Sequence, residues 1–279
     1  MTTTLPVYDS AQPSTTFTSV FTNLWTYRGL LRLLVRRELT VRYKRSTLGT
    51  WWTLLNPLLT TAVLWLVFGL VAGRFGGDDL SEPYVVYLLA GVIMMTFFGQ
   101  TVIATGSAIT GSKEILSKVY VPAEVFAFAT AFAGLINFLI SCTLLVFAAI
   151  VSGQGIAWTA VLSPLPILSM MALIVGLGLL IASAAVWFFD VIDLTSVLIQ
   201  LLYYLTPVFW TLSFIPEWAH PLIFANPLYS YLEIFRDVVY RGEISVWWQW
   251  AMMLGTASAA VLLGAWVFTR AWKSLVNQL

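Results

Sequence analysis

Residues 123–151 read AEVFAFATAFAGLINFLISCTLLVFAAIV, and their only charge is Glu124, at the start. As a helix rising 1.5 Å per residue this stretch is about 43 Å long. The hydrocarbon core of a bilayer is about 30 Å thick, so the segment is long enough to cross it and must tilt or begin outside the lipid. Five more apolar stretches of spanning length occur, at 51–73, 84–107, 160–184, 194–214 and 247–269. Asp, Glu, Lys and Arg make up only 10% of the 279 residues, while hydrophobic types make up 59%. Mean hydropathy is +0.87. A water-soluble chain of this size could not bury so much apolar surface. The expected fold is therefore an all-α polytopic membrane protein with six transmembrane helices.

The basic residues set its orientation. Arg28, Arg32, Arg36, Arg37, Arg42, Lys44 and Arg45, half of the Lys and Arg in the chain, precede the first span. Lys113 and Lys118 lie between the second and third spans, and Arg270 and Lys273 follow the sixth. Eleven cations thus fall on one side and three (Arg74, Arg236 and Arg241) on the other. The positive-inside rule puts the richer side, and both termini, in the cytoplasm. The expected location is the cytoplasmic (inner) membrane, in multi-pass form. No early apolar run reads as a cleavable signal peptide.

Other classes are excluded by what the chain lacks. A net charge of +1 provides no field for nucleic acid. One cysteine, Cys142, allows neither an intrachain disulfide nor a cysteine metal cluster. One histidine, His220, rules out a zincin pair. The run Gly106 to Lys113, GSAITGSK, inverts the final pair of a phosphate loop and follows a membrane span rather than a strand. It is not expected to bind nucleotide. Mid-span charges, which ion-coupled carriers and charged channels need, are nearly absent.

Three regions carry candidate functional residues. Before the first span, Tyr27, Leu30, Leu31 and Leu34 share one helical face, while Arg28, Arg32 and Arg36 share another. This spacing predicts an N-terminal amphipathic interface helix, apolar face in lipid and arginines at membrane headgroups. Between spans two and three, Ser112 precedes a short helix that Pro122 ends. Its apolar face of Ile115, Leu116, Val119 and Tyr120 is suited to a protein partner, or else to resting on headgroups. Between spans five and six, prolines 216, 221 and 227 break a segment that is too apolar for a free loop. It reads as two short re-entrant helices forming an outer gate around Pro216, Trp218, Pro227, Glu233, Arg236 and Asp237, with Asp237 and Arg241 able to pair at i, i+4. Aromatic residues are abundant. Tyr84, Tyr87 and Trp247 sit where an aromatic belt is expected. Phe97, Phe98, Tyr203, Tyr204, Phe209 and Trp210 fall within spans, where they either line a sugar path or pack helices. Small-residue pairs at Gly69/Gly73, Gly255/Ala259 and Ala260/Gly264 are candidates for close helix contact.

Several motifs, in this order, carry a resemblance: RELTVRYKRSTLGTWWTLLNP at 37–57, ILSKVYVPAE at 115–124, LTPVFW at 205–210, IPEW at 215–218, NPL at 226–228 and FRD at 235–237. Over about residues 24 to 275 the chain resembles the membrane subunits of ABC-2 type exporters of polysaccharide, such as O-antigen, teichoic acid, capsule and galactan. The resemblance implies a flexible cytoplasmic tail over 1–23, an interface helix over 24–46 and an ABC-2 type transmembrane domain over 47–279. It implies a homodimer joined by two copies of an ABC ATP-binding subunit, which would hold ATP and Mg; this chain itself carries no cofactor. A lipid-linked glycan is the implied substrate. Ser112, Glu114, Ile115, Leu116, Val119 and Tyr120 would form the coupling helix, and Arg28, Arg32, Arg36, Arg37 and Glu38 would belong to the interface helix beside the ATPase. Where such proteins often carry an Arg-Asp pair after the fourth span, this chain has Phe189-Asp190. Rival readings are the same fold exporting a drug or lipid, a membrane-embedded glycosyltransferase or polymerase using Glu217, Glu233, Asp237 and Glu243, and a structural scaffold.

Overall fold

Among the residues that the computed structural model describes (23–44, 46–69, 83–116, 118, 121–188 and 190–276), every regular element is helical. Among the described residues, five stretches are long and apolar enough to cross a bilayer: Gly49–Gly69, Tyr84–Ser107, Glu124–Val151, Trp158–Ala185 and Trp247–Ala271. The chain is thus an all-α, multi-pass membrane protein. Its helices are α1 (Arg28–Tyr43), α2 (Trp52–Leu64), α3 (Tyr84–Ser107), α4 (Lys113–Leu116) and α5 (Glu124–Val151), then α6 (Pro164–Ala185), α7 (Asp190–Leu205), α8 (His220–Phe224), α9 (Pro227–Arg236) and α10 (Trp247–Val276).

Helix α3 is the hub. It is buried along most of its length, and α2, α5, α6, α7 and α9 all pack on it. Its hydrophobicity has no preferred side because all its sides face protein. By contrast α2 and α7 are peripheral. Leu58, Leu59, Val63 and Leu66 of the first span, and Leu194, Val197, Leu198 and Leu201 of α7, are exposed.

The closest helix pair is α6 with α10. A Cβ added at Gly264 would lie 2.3 Å from the Gly176 carbonyl oxygen, and one at Gly176 would lie 2.3 Å from the Ala260 carbonyl carbon. The two backbones therefore touch. Lipid tails are as apolar as leucine, so association inside a membrane rests on such close van der Waals packing. Of the three small-residue pairs, Ala260/Gly264 makes this contact. Gly255 has nothing within 4 Å of its Cβ position, and Gly73 lies outside the described residues.

Four of the expected spans agree with the helices to within a few residues, except at the C-terminal end of the last. The first is described only to Gly69. The span expected over 194–214 ends early, because α7 stops at Leu205. Pro207 has no N–H to continue the ladder and disfavours helix for the residue before it. At 16 residues α7 is about 24 Å long, short of the hydrocarbon thickness. Past it the chain runs through the non-helical residues 206–211 to short turns at Leu212–Phe214 and Glu217–Ala219, then α8 and α9. A π-helical turn at Asp237–Arg241 ends on Gly242, whose φ of 79° suits glycine.

Candidate functional site

A helix that breaks among apolar helices creates a problem: each carbonyl that leaves the helix needs a donor, at a cost of several kcal/mol if it is buried from water and finds none. Residues 206–210 meet this need through side chains from two helices and from the residue just before the second of them. From α3, Tyr84 Oη donates to Phe209 O at 2.6 Å, and Tyr87 Oη lies 2.9 Å from Pro207 O and 2.7 Å from Trp210 O. From α9, Arg236 Nη1 donates to Pro207 O at 2.9 Å, and Nη2 lies 3.3 Å from Val208 O and 3.1 Å from Tyr87 O. The guanidinium sits 3.5 Å from the centre of the Tyr87 ring. Just before α9, Asn226 Nδ2 donates to Thr206 Oγ1 at 2.9 Å, while its Oδ1 caps α9 by accepting from the Leu228 N–H. Pro227 then takes the first helical position, where a missing N–H costs nothing. Gly91 is required here: a Cβ would meet Arg236 Nη2 at 2.9 Å and Val208 O at 3.1 Å.

Arg236 is 0% exposed, so its charge must be answered. Glu233 Oε1 lies 2.8 Å from Nη1. Arg241 spans the other Glu233 oxygen at 2.6 Å and Asp237 Oδ1 at 2.8 Å, and Ser245 donates to Asp237 Oδ2. Burial alone would raise the Glu233 carboxyl, but Arg236 and Arg241 outweigh it and hold the group below the usual carboxylate range. Asp237 is pushed up by burial, with Ser245 and Arg241 acting against that rise. Thr159 Oγ1 donates to Val238 O at 2.8 Å and Ala157 N to Val239 O at 3.1 Å, tying the π turn to the segment before α6.

The expected gate residues divide accordingly. Glu233, Arg236 and Asp237 converge in this clamp, and the i, i+4 pairing of Asp237 with Arg241 is present. Pro216 and Trp218 are exposed, Trp218 at 77%. An enzyme built on these acids would need them turned toward a substrate; both instead accept from arginine. The residues missed at the sequence level are Tyr84 and Tyr87, read as belt aromatics. Tyr87 is buried and works as a hydrogen-bond donor. The available signal was Pro207, which announces carbonyls in need of donors.

The aromatic path residues also divide. Phe98 is buried in the core, and Phe97 stacks on Phe138 with ring centres 4.6 Å apart. Tyr203, Tyr204 and Phe209 form a second cluster with Phe68, where Phe68 and Phe209 stack at 4.8 Å. Tyr204 is exposed. Trp210 is half-buried and its Nε1 donates to Tyr204 O at 3.3 Å.

At the other end of the bundle the helix α1 packs through Leu30, Leu31 and Leu34 on Val125, Phe126 and Ala129 of α5, and Ile115 and Leu116 of α4 join the same cluster. Two expectations change here. The apolar face of α1 lies on protein rather than in lipid, and the outward apolar residues are Leu33 and Val41. Ile115 and Leu116 are half-buried against this cluster rather than fully exposed. Ser112 is buried, while Lys113, Glu114 and Lys118 are exposed; Val119 and Tyr120 lie outside the described residues. Arg28, Arg32, Arg36 and Arg37 are exposed and Glu38 is half-buried. Asn23, assigned to a flexible tail, donates from Nδ2 to buried Glu124 Oε1 at 2.8 Å; residues 1–22 lie outside the described residues.

Apolar helices of spanning length around a clamped helix break describe a multi-pass membrane protein. Residues 29–240 match the ABC-2 type transporter family, and the chain belongs to it. As such it is a non-catalytic transmembrane permease subunit. Among curated proteins it is similar to the O-antigen export system permease protein RfbA of Myxococcus xanthus, at 33% identity over 79% of this chain and 84% of that one. It is also similar to RfbA of Klebsiella pneumoniae, at 26% identity over 77% and 82%. A third relative is the polysialic acid transport protein KpsM of Escherichia coli, at 24% over 76% and 81%.

Proposed function

We propose that this chain is the permease of an ATP-driven exporter that moves a lipid-linked polysaccharide across the cytoplasmic membrane. The observation that carries this reading is the 33% identity, over 84% of its length, to an O-antigen export permease. The relatives named for O-antigen and for polysialic acid agree on polysaccharide cargo. Two copies pair through the exposed apolar faces of α2 and α7, and two ATP-binding subunits carrying ATP and Mg dock on the cytoplasmic side. α7 is the fifth of six spans, completed by the non-helical stretch after it, and α8 and α9 are the re-entrant pair of an outer gate. The excess of basic residues before α2 and after α10 supports cytoplasmic termini.

Docking of the ATPase uses the exposed charges of the α4 region, since Ile115 and Leu116 are half-buried against the cluster that α1 and α5 share. Glu114→Lys is expected to leave the amount of permease in the membrane unchanged and to lower export severalfold. Quantifying surface glycan and membrane permease together checks this; normal export would remove α4 from the coupling role. The function itself is tested by mild-detergent capture of the chain from its native membrane. An ABC ATP-binding protein in about equal amount, and loss of surface glycan on depletion, are the expected results. Capture of the chain alone, with glycan intact after depletion, would overturn the reading.

A further inference from the structure

A polar cleft of about 290 Å³ opens between α1, α2, α3 and α5, and a second of about 230 Å³ adjoins it, sharing Arg42, Gln100, Thr101, Gly134 and Asn137. Its position is unusual. Thr96 and Gln100 lie in the cytoplasmic half of α3, Asn137 near the middle of α5, and Asn56 in the first turns of α2. Amide and hydroxyl groups converging at membrane depth are costly in lipid and mark a functional pathway unless they serve packing. One polar feature here does serve packing. Pro57 cannot donate to Thr53 O, and Ser141 Oγ lies 3.1 Å from that carbonyl, supplying the donor. Thr96 and Gln100 add further polar groups to the lining. Arg42, exposed at the end of α1, reaches in to donate from Nη2 to Gln100 Oε1 at 2.6 Å. Trp52 and Phe97 form aromatic walls.

We propose that this cleft binds the glycosyl-phosphate headgroup of the lipid-linked substrate from the cytoplasmic leaflet. This rests on the polysaccharide-export reading above. Each part of such a headgroup has a counterpart. Arg42, at the mouth and level with the membrane interface, takes phosphate oxygens; a guanidinium fork matches them in geometry and charge. Asn56, Thr96 and Gln100 offer the uncharged donors and acceptors that sugar hydroxyls need, and exposed Trp52 offers a flat face to the ring's C–H side. Glu38, on the margin of the second cleft, is among the described residues the one acidic side chain lining either, and keeps the site from being a general anion sink. The volume is at the small end of ligand pockets, which run from about 300 to 1,000 Å³. It fits one sugar with its phosphate and not a polymer, so the cleft reads the end of the chain attached to lipid whatever the rest of the glycan is.

The test uses the purified permease with its ATPase in lipid nanodiscs and measures binding of polyprenyl diphospho-N-acetylglucosamine, polyprenyl diphosphate, inorganic diphosphate and free N-acetylglucosamine by native mass spectrometry. The sugar-bearing lipid is expected to bind, and inorganic diphosphate not to compete at equal concentration. Arg42→Gln is expected to weaken both lipids by about tenfold, the loss of one charge-assisted contact. Thr96→Phe, which fills the sugar part, is expected to weaken the sugar-bearing lipid about tenfold and leave polyprenyl diphosphate within about twofold. If Thr96→Phe does not reach the membrane, Asn56→Leu, at an exposed position, serves instead. Wild-type affinity in the variants, an equal loss for both lipids in Thr96→Phe, or full competition by inorganic diphosphate would each overturn the proposal. Depletion separates the two levels: glycan lost on depletion but headgroup binding unaffected by the variants sinks the cleft and leaves the exporter reading standing.

Discussion

Arg236→Met is expected to remove most of the folded permease from the membrane. The side chain is fully buried and gives hydrogen bonds to three backbone carbonyls and to Glu233. Methionine fills similar volume but donates nothing. Pro207 O and Val208 O then lose a donor in a segment that has no helix to fall back on, and Glu233 keeps only Arg241. Breaking a buried ion pair by deleting one partner costs about 3–5 kcal/mol. An orphaned buried carbonyl adds about 1–3 kcal/mol. Together these rival the whole stability of an ordinary domain. Arg236→Lys keeps the charge but not the planar fork that serves several acceptors at once, so it is expected to be intermediate. The check is thermal unfolding in detergent, read beside the membrane yield. An unchanged midpoint in Arg236→Met would show that the clamp is not what holds residues 206–210.

The second large effect is a contrast between two glycines on one helix. Gly264→Ala places a methyl 2.3 Å from the Gly176 carbonyl oxygen, where backbone meets backbone and nothing can rotate away. α6 and α10 must separate along their contact, and the expected loss is at least the 1–3 kcal/mol typical of overpacking. Gly255→Ala, nine residues earlier on α10, meets nothing within 4 Å. There the substitution only improves helix propensity, and a gain of about 0.5–1 kcal/mol is expected. Measuring both variants in the same detergent removes differences of reference state. Equal effects at the two positions would refute the close α6–α10 contact.

The same comparison shows where sequence patterns stop. Ala260/Gly264 and Gly255/Ala259 are equivalent as small-residue pairs, and only the rotation of α10 against α6 separates them. Likewise Tyr84 and Tyr87 resemble any interfacial tyrosines until the break at Pro207 brings carbonyls 120 residues away within 3 Å. The arginine of the FRD motif was legible as a charge near a gate; that it is the fully buried centre of a clamp was not.

What the sequence by itself determined follows from local quantities. Runs of about twenty apolar residues set the spans, because hydrocarbon thickness is a length. Lys and Arg bias gives the expected orientation, because each charge acts on its own flank. Motif order carries the family. The tertiary structure alone decided that Arg42 reaches Gln100, that α1 and α4 pack on one cluster with α5, and that Glu233 and Asp237 serve arginines rather than a substrate. The physical reason is that partner choice for a polar group in a membrane depends on which helix sides meet. That is a matter of rotation and register between segments distant in the chain, and hydropathy, being summed around the helix, carries no trace of it.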